Sequence, residues 1–136
     1  MTQPVPTARG TVPRSFYDEV GGRPVFETIV DRFYEIAIAD PTLRPLFAMS
    51  HAATVRRRIT AFFVQYWGGP RDYSRERGNP RLALRHSHFR LGRAEYDAWL
   101  AAMRQALEVQ ELTAEQRAVF YDYLVAAAAR LTGRAP

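Results

Sequence analysis

Apolar side chains recur at helical spacing along most of this chain. The apolar positions that follow Phe26 fall 3, 4, 7, 8 and 11 residues after it, so they share one face of a helix that ends before Pro41. The same spacing recurs from Val55 to Trp67, from Ala94 to Val109 and from Val119 to Leu131. Because no sustained alternation of apolar and polar residues lies between turn signals, the pattern predicts an all-α fold with four substantial helices.

Residues at the ends of these segments supply helix boundaries. Ser15 is typical of an N-cap and begins a short helical pattern that stops at the glycine pair beginning with Gly21. Pro24 suits the first turn of the helix that follows. Thr113 and Gln116, three residues apart, form a capping box ahead of the last helix.

The segments between the long helices are short and polar. Thr42 to Phe47 is predicted to form a one-turn element interrupted by Pro45. Arg71 to Asn79 has five charged residues, one glycine and no aliphatic residue, so it is predicted to form an extended polar loop. Pro80 to Ser87 could close that loop with a short helix.

Length and composition indicate one domain. The chain has 136 residues, and residues 1–14 contain three prolines and almost no large apolar side chain, which predicts a flexible N-terminal tail. Residues 15–132 are expected to form the domain, with residues 133–136 as a C-terminal tail. Without cysteine, and without an apolar run of about 18 residues or a secretory signal, the expected location is the cytoplasm, with no membrane span.

Positive charge is concentrated in the middle of the chain. All 19 basic residues are arginine, and 11 of them lie between Pro41 and Arg93, where the acidic residues are Asp72 and Glu76. An ordinary solvated surface accounts for such a segment, but it also indicates where an anionic partner would bind. Nucleic acid is disfavoured as that partner, because no helix-turn-helix pair with polar base-reading residues is present and the nearby aromatic residues lie on the apolar stripe.

Few side chains could hold a metal ion. The histidines are His51, His86 and His88, and on a helix the last two would point roughly 200° apart. A single histidine is therefore more economical if the metal brings its other ligands with it, as haem iron does. The ordinary alternative is that His86 and His88 decorate a short helix, just as Tyr34 and Trp99, within their apolar stripes, could be core residues.

Four segments resemble one known family. In order and at their separations, SFYDEVGG, DRFYEIAIADPTLRPLF, QYWGGPRDYSRERGNPRLALRHSHFRL and DAWL are similar to segments of the group II truncated haemoglobins. The resemblance runs from about Ser15 to Leu131. It implies a truncated globin fold, a two-over-two helical sandwich around haem b.

The resemblance also implies roles for individual residues. His86 matches the proximal metal ligand, with His88 as the reserve candidate, and Tyr34 and Trp99 match the distal residues that face the bound ligand. Phe47 stands where many relatives have a second tyrosine, so the distal network would be simpler here. The cofactor-binding residues implied are His86, Phe47, Val55, Arg58, Ile59, Tyr73, Arg85 and Phe89, with Arg58, Tyr73 and Arg85 expected at the haem propionates.

The function that follows from this resemblance is reversible oxygen binding at a histidine-ligated haem iron, with NO and CO as further diatomic ligands. A haem redox enzyme, acting as an NO dioxygenase or in a peroxidase-like way, is the alternative, and it would need an external reductase as a partner. A globin fold used without haem is a third hypothesis. The sequence leaves the oligomeric state open.

Overall fold

The computed structural model describes residues 14–47, 51–78 and 91–132, and these ranges consist of helices joined by short connections. No helix in them is both long enough and apolar enough to cross a membrane. In chain order, the described helices are α1 (Phe16–Val20), α2 (Arg23–Ala39), α3 (Arg44–Phe47), α4 (Ala52–Tyr66), α5 (Asp72–Arg77), α6 (Arg93–Ala106) and α7 (Ala114–Thr132).

The four long helices pack in two pairs. Helix α2 packs against both α4 and α6, and α6 packs in turn against α7. The core between them contains large side chains that are fully buried, and burial of each such side chain contributes about 1.5–3 kcal/mol to folding. The predicted all-α sandwich with four substantial helices is confirmed. The largest of its fully buried side chains are Phe26, Phe33, Phe120, Ile29, Leu43 and Met103.

Helix α1 is fastened to the C-terminal end of α4. Its N-cap is Ser15, whose hydroxyl accepts a hydrogen bond from the Asp18 amide at 3.1 Å, as predicted. The amide of Tyr17 donates to the carbonyl of Trp67 at 2.9 Å. At Gly68, φ is 102° and an added Cβ would lie 2.6 Å from the Ser15 Cβ. The close approach of the two segments therefore requires glycine at position 68.

Replacing Gly68 with alanine should reduce the free energy of unfolding more than the same change at Gly78. Both residues have positive φ, which costs an alanine about 1–3 kcal/mol, but an added Cβ at Gly78 meets no atom of the described residues within 4 Å. The overlap with Ser15 should add about 1–3 kcal/mol at Gly68. Urea unfolding of both variants measures the difference, and equal losses would contradict the close packing of Gly68 on Ser15.

The predicted loop after Arg71 is wrong for residues 72–77, which form helix α5. Two contacts with α4 explain the helix. The side-chain amide of Gln65 donates to the Ser74 hydroxyl at 2.7 Å and accepts from the Ser74 amide at 2.9 Å. The ring of Tyr73 is buried with its edge against Phe62 at 5.5 Å between centroids. These contacts join residues nine to eleven positions apart on two different helices, so the composition of residues 72–77 alone did not indicate them.

Two smaller expectations are also corrected. Pro45 does not interrupt its element but occupies the second position of α3, where its missing N–H costs no helical hydrogen bond. Val119 was placed on the apolar face of the last helix, yet it is 45% exposed, because the face of α7 that packs on the core is centred on Phe120 and Leu124. The predicted short helix from Pro80 to Ser87 lies outside the described residues. The other predicted helices are observed.

The connection between α6 and α7 is closed by a capping box and by one arginine. Thr113 and Gln116 exchange the predicted pair of hydrogen bonds, each 3.0 Å long. The guanidinium of Arg117 donates to three backbone carbonyls of the connection, those of Leu107, Val109 and Leu112, at 2.9, 3.3 and 3.1 Å. One side chain thus ties together three carbonyls of the connection that follows α6, two of which also accept backbone hydrogen bonds.

An aromatic cluster joins α4 to α7. The rings of Tyr66 and Tyr123 are stacked with centroids 4.0 Å apart, and Trp67 stands edge-on to both. The Trp67 indole N–H is buried and has no hydrogen-bond partner in the described part of the chain. Burial raises the pKa of Tyr123 well above its ordinary value, and the neighbouring Tyr66 raises this pKa further.

The raised pKa of Tyr123 predicts a loss of stability at alkaline pH. The folded protein keeps the Tyr123 proton at pH values where the unfolded chain has released it, so the contribution to stability is complete below about pH 10 and decreases as the pH rises above that value. Thermal unfolding from pH 8 to 11.5 should show a smaller alkaline decrease of Tm for Tyr123→Phe than for the parent protein. Identical pH dependence in the two proteins would contradict this interpretation.

Candidate functional site

Tyr34 lies on the buried face of α2, next to the short helix α3. Tyr34 is 6% exposed. Its ring contacts the ring of Phe47 edge to face, with centroids 5.8 Å apart and ring planes at 72°. The apolar spacing of α2 turns this face toward the core, and α3 brings Phe47 back over it. Two of the residues singled out from the sequence are therefore in direct contact.

Trp99 joins the same group of rings from α6. Its indole lies 6.2 Å from the ring of Phe33, and Phe33 lies 5.9 Å from Phe47, both at steep interplanar angles. A continuous series of aromatic contacts thus runs from Tyr34 through Phe47 and Phe33 to Trp99. The helical spacing of the sequence predicted that Phe33 is a core residue. The signal that it borders the site was weaker, namely its position next to Tyr34 on the apolar stripe of α2.

Two hydrogen-bond donors in this group have no partner among the described residues. Neither the Tyr34 hydroxyl nor the Trp99 indole N–H forms a hydrogen bond within the described residues. An aromatic residue that serves only the core usually directs its polar atom to a backbone partner. Donors without such a partner can bind a small acceptor that enters the site.

A cavity of about 120 Å³ adjoins Phe47 and Trp99, between α3, α6 and α7. Its two polar side chains are turned to the backbone. The Glu95 carboxylate accepts from the Gly92 amide at 2.8 Å, and the Thr132 hydroxyl donates to the Ala128 carbonyl at 2.8 Å. The remaining wall is apolar or aromatic, which suits an apolar ligand. It is formed by Leu43, Leu46, Phe47, Leu91, Tyr96, Trp99, Ala128 and Leu131.

Helices α4 and α5 supply the other described candidates. Val55 and Ile59 are half-buried and lie one turn apart on α4, so they share a helix face. Arg58, between them, is exposed and forms no ion pair within the described ranges. Tyr73 is buried in α5 against Phe62. Helix α4 therefore offers two apolar side chains and, at Arg58, a cation without an ion pair among the described residues.

The remaining candidates are His86, with its reserve His88, and Arg85 and Phe89, and all four lie outside the described residues. Within the described ranges, no cluster of three or more histidine and carboxylate side chains could hold a metal ion. The candidate residues in these ranges instead carry hydrogen-bond donors, namely the phenol of Tyr34 and the indole of Trp99. A phenol O–H and an indole N–H can each donate a hydrogen bond to a bound ligand.

A two-layer helical sandwich with aromatic donors beside an apolar pocket is the architecture of a globin, and the comparisons agree. Residues 15–131 match the family described as bacterial-like globin. The chain is 35% identical over 106 residues to the group 2 truncated hemoglobin YjbI of Bacillus subtilis, covering 78% of this chain and 80% of that relative. The chain belongs to the bacterial-like globin family.

Solved structures show the same likeness. A hemoglobin from the actinobacterium Thermobifida fusca has a TM-score of 0.84 and 42% identity, over 88% of this chain and 97% of that chain. The group II truncated hemoglobin from Bacillus anthracis has a TM-score of 0.83 and 29% identity, over 90% and 94% of the two chains. The resemblance to group II truncated haemoglobins is confirmed, and membership of the globin family implies a haem cofactor and small diatomic ligands.

The described residues fit a haem group. The apolar wall beside Phe47 and Trp99 suits the porphyrin, because burial of a large apolar surface is the main favourable term in binding such a molecule. The unused donors of Tyr34 and Trp99 suit a ligand that carries partial negative charge. Arg58 is a cation of the kind that pairs with a carboxylate.

Proposed function

We propose that the protein binds haem b and uses it to bind oxygen reversibly, with NO and CO as further ligands. The observation that carries this proposal is the pair of unused donors, the Tyr34 hydroxyl and the Trp99 indole N–H, linked by aromatic contacts at the edge of an apolar pocket. Both donors lack a partner among the described residues, so they are open to a small acceptor that enters the pocket.

When bound, haem supplies the iron at which a diatomic ligand is held. The protein supplies the surroundings of that ligand. Tyr34 and Trp99 donate hydrogen bonds to it, and these bonds are stronger in an apolar pocket than in water because the local dielectric constant is low. Val55 and Ile59 offer only bulk, so they exclude water and limit the size of the ligand.

His86 is the residue we propose as the metal ligand, through Nε2, on the strength of the family motif that surrounds it. Phe47, Val55, Ile59 and Phe89 would pack on the porphyrin. Cations and hydroxyls suit the two propionates, which are carboxylates at the mouth of the pocket. For this role we propose Arg58, Tyr73 and Arg85.

Removing either donor should speed the release of oxygen. Tyr34→Phe keeps the ring and loses the hydroxyl, and Trp99→Phe keeps an aromatic ring, smaller than the indole, and loses the N–H. Each should destabilise the bound ligand by on the order of 1–3 kcal/mol, which raises the rate of release roughly fivefold to hundredfold. Stopped-flow measurement on the haem-loaded variants tests this, with Tyr121→Phe, a half-buried tyrosine of α7, as a control. Unchanged release in both distal variants would exclude their role as donors.

The metal ligand is tested by comparing His86→Gly with His88→Gly. The first variant should lose the visible absorption bands of an iron held by one protein imidazole, and added free imidazole should restore them. The second should keep the spectrum of the parent protein. Spectra are recorded with and without dithionite and CO. The reverse pattern would identify His88 as the ligand and overturn the assignment of His86.

A further inference from the structure

Arg56 lies over the ring of Tyr34, the residue proposed to donate to the ligand. Its guanidinium carbon is 5.4 Å from the ring centroid, within the distance of about 6 Å at which a cation is attracted to an aromatic face. Arg56 belongs to α4 and Tyr34 to α2, so the contact crosses the interface between these two helices. The charge of Arg56 therefore acts on a ring that is itself buried.

Asp31 holds the guanidinium of Arg56 in this place. The Arg56 Nε and an Asp31 carboxylate oxygen are 3.6 Å apart, and Asp31 lies on α2 three residues before Tyr34, on the same side of that helix. The two side chains are 40% and 60% exposed, so the ion pair itself adds little to folding stability. Its consequence is geometric, because it restrains a long side chain whose other contact is the Tyr34 ring.

The orientation of the Tyr34 hydroxyl depends on contacts made by its ring. The hydroxyl has no acceptor within the described residues, so no hydrogen bond to the protein fixes its direction. The ring is instead bounded by the guanidinium of Arg56 and by the ring of Phe47. Whatever moves the Arg56 side chain therefore changes a contact of the ring that carries the donor.

We propose that Arg56, restrained by Asp31, is a positioning residue for Tyr34. The guanidinium holds the phenol ring in place and draws electron density toward itself, which makes the hydroxyl a stronger hydrogen-bond donor to a diatomic ligand. Arg56 itself does not touch that ligand. This inference rests on the proposed role of Tyr34 and adds to it a residue that the sequence showed only as part of a basic run.

The neighbouring arginine offers a matched control. Arg57 has the same charge and lies on the same helix, but its partner is Glu76 at 3.9 Å, and both side chains are 57% exposed. Arg56→Met and Arg57→Met remove the same charge and keep a flexible apolar side chain of similar length. Any difference between these variants comes from position rather than net charge. Arg56→Lys keeps a cation that can still lie over the ring.

Two measurements on the haem-loaded protein test the proposal. The first is the rate of oxygen release, which Arg56→Met should raise about three- to tenfold while Arg57→Met leaves it unchanged. The second is the infrared stretching band of bound CO, which reports the strength of nearby donors. Arg56→Met should move this band part of the way toward its position in Tyr34→Phe, and Arg56→Lys should restore most of the original position.

The double variant Arg56→Met with Tyr34→Phe shows whether the arginine acts through the tyrosine. The proposal requires that Arg56→Met has no further effect once the Tyr34 hydroxyl is gone. An equal effect in both backgrounds would overturn it, and so would an unchanged rate and CO band in Arg56→Met while Tyr34→Phe changes both. In either case the proposed function stands, because that function is tested separately by Tyr34→Phe and Trp99→Phe.

Discussion

The pocket depends on the burial of one ring, that of Phe33. This side chain is fully buried on α2, and it contacts Phe47 of α3 on one side and Trp99 of α6 on another. Tyr34 reaches the same group through Phe47. Three helices that are separate in the sequence thus share one aromatic centre, and the two donors that we assign to the ligand are held at its edge. The packing that stabilises the fold and the geometry that serves binding are here the same contacts.

The molecule has two aromatic groups, and each contains an indole N–H without a hydrogen-bond partner among the described residues. At the C-terminal end of α4, Tyr66 and Trp67 pack against Tyr123 and Phe120, and α1 covers this group by bonding to the α4 terminus. Beside α3, the polar atoms of Tyr34 and Trp99 stay available because apolar side chains surround them. The first group is covered by α1, whereas the second adjoins an apolar cavity, and the second is therefore the group that we assign to the ligand.

The sequence predicted the features that are local. Helical spacing indicated α2, α4, α6 and α7, and caps such as Ser15 and the Thr113 and Gln116 pair were read correctly because their partners lie within a few residues. Helix α5 was missed because its stabilising contacts come from Gln65 and Phe62 on another helix. Such contacts leave no signal in the composition of the segment they stabilise.

In the site, too, the sequence predicted some residues and missed a contact between two helices. The family motif identified Tyr34, Phe47 and Trp99, and the structure brings these residues into one group of contacts. It did not identify Arg56, since the sequence shows three consecutive arginines and nothing distinguishes the one that lies over a ring from its neighbours. The crossing of α2 and α4 determines which of the three arginines lies over Tyr34. This crossing is a property of the fold and is not visible in the sequence.

The connection between α6 and α7, a corner closed by Arg117, limits where the chain can be altered by insertion or permutation. Since one guanidinium reaches three carbonyls between residues 107 and 112, the length of this connection is fixed by the reach of a single side chain. A peptide inserted there, or new termini opened there by circular permutation, would separate the carbonyls from their shared donor. The corner is therefore a poor place to attach a reporter, although it lies in a connection between helices where insertions are usually tolerated.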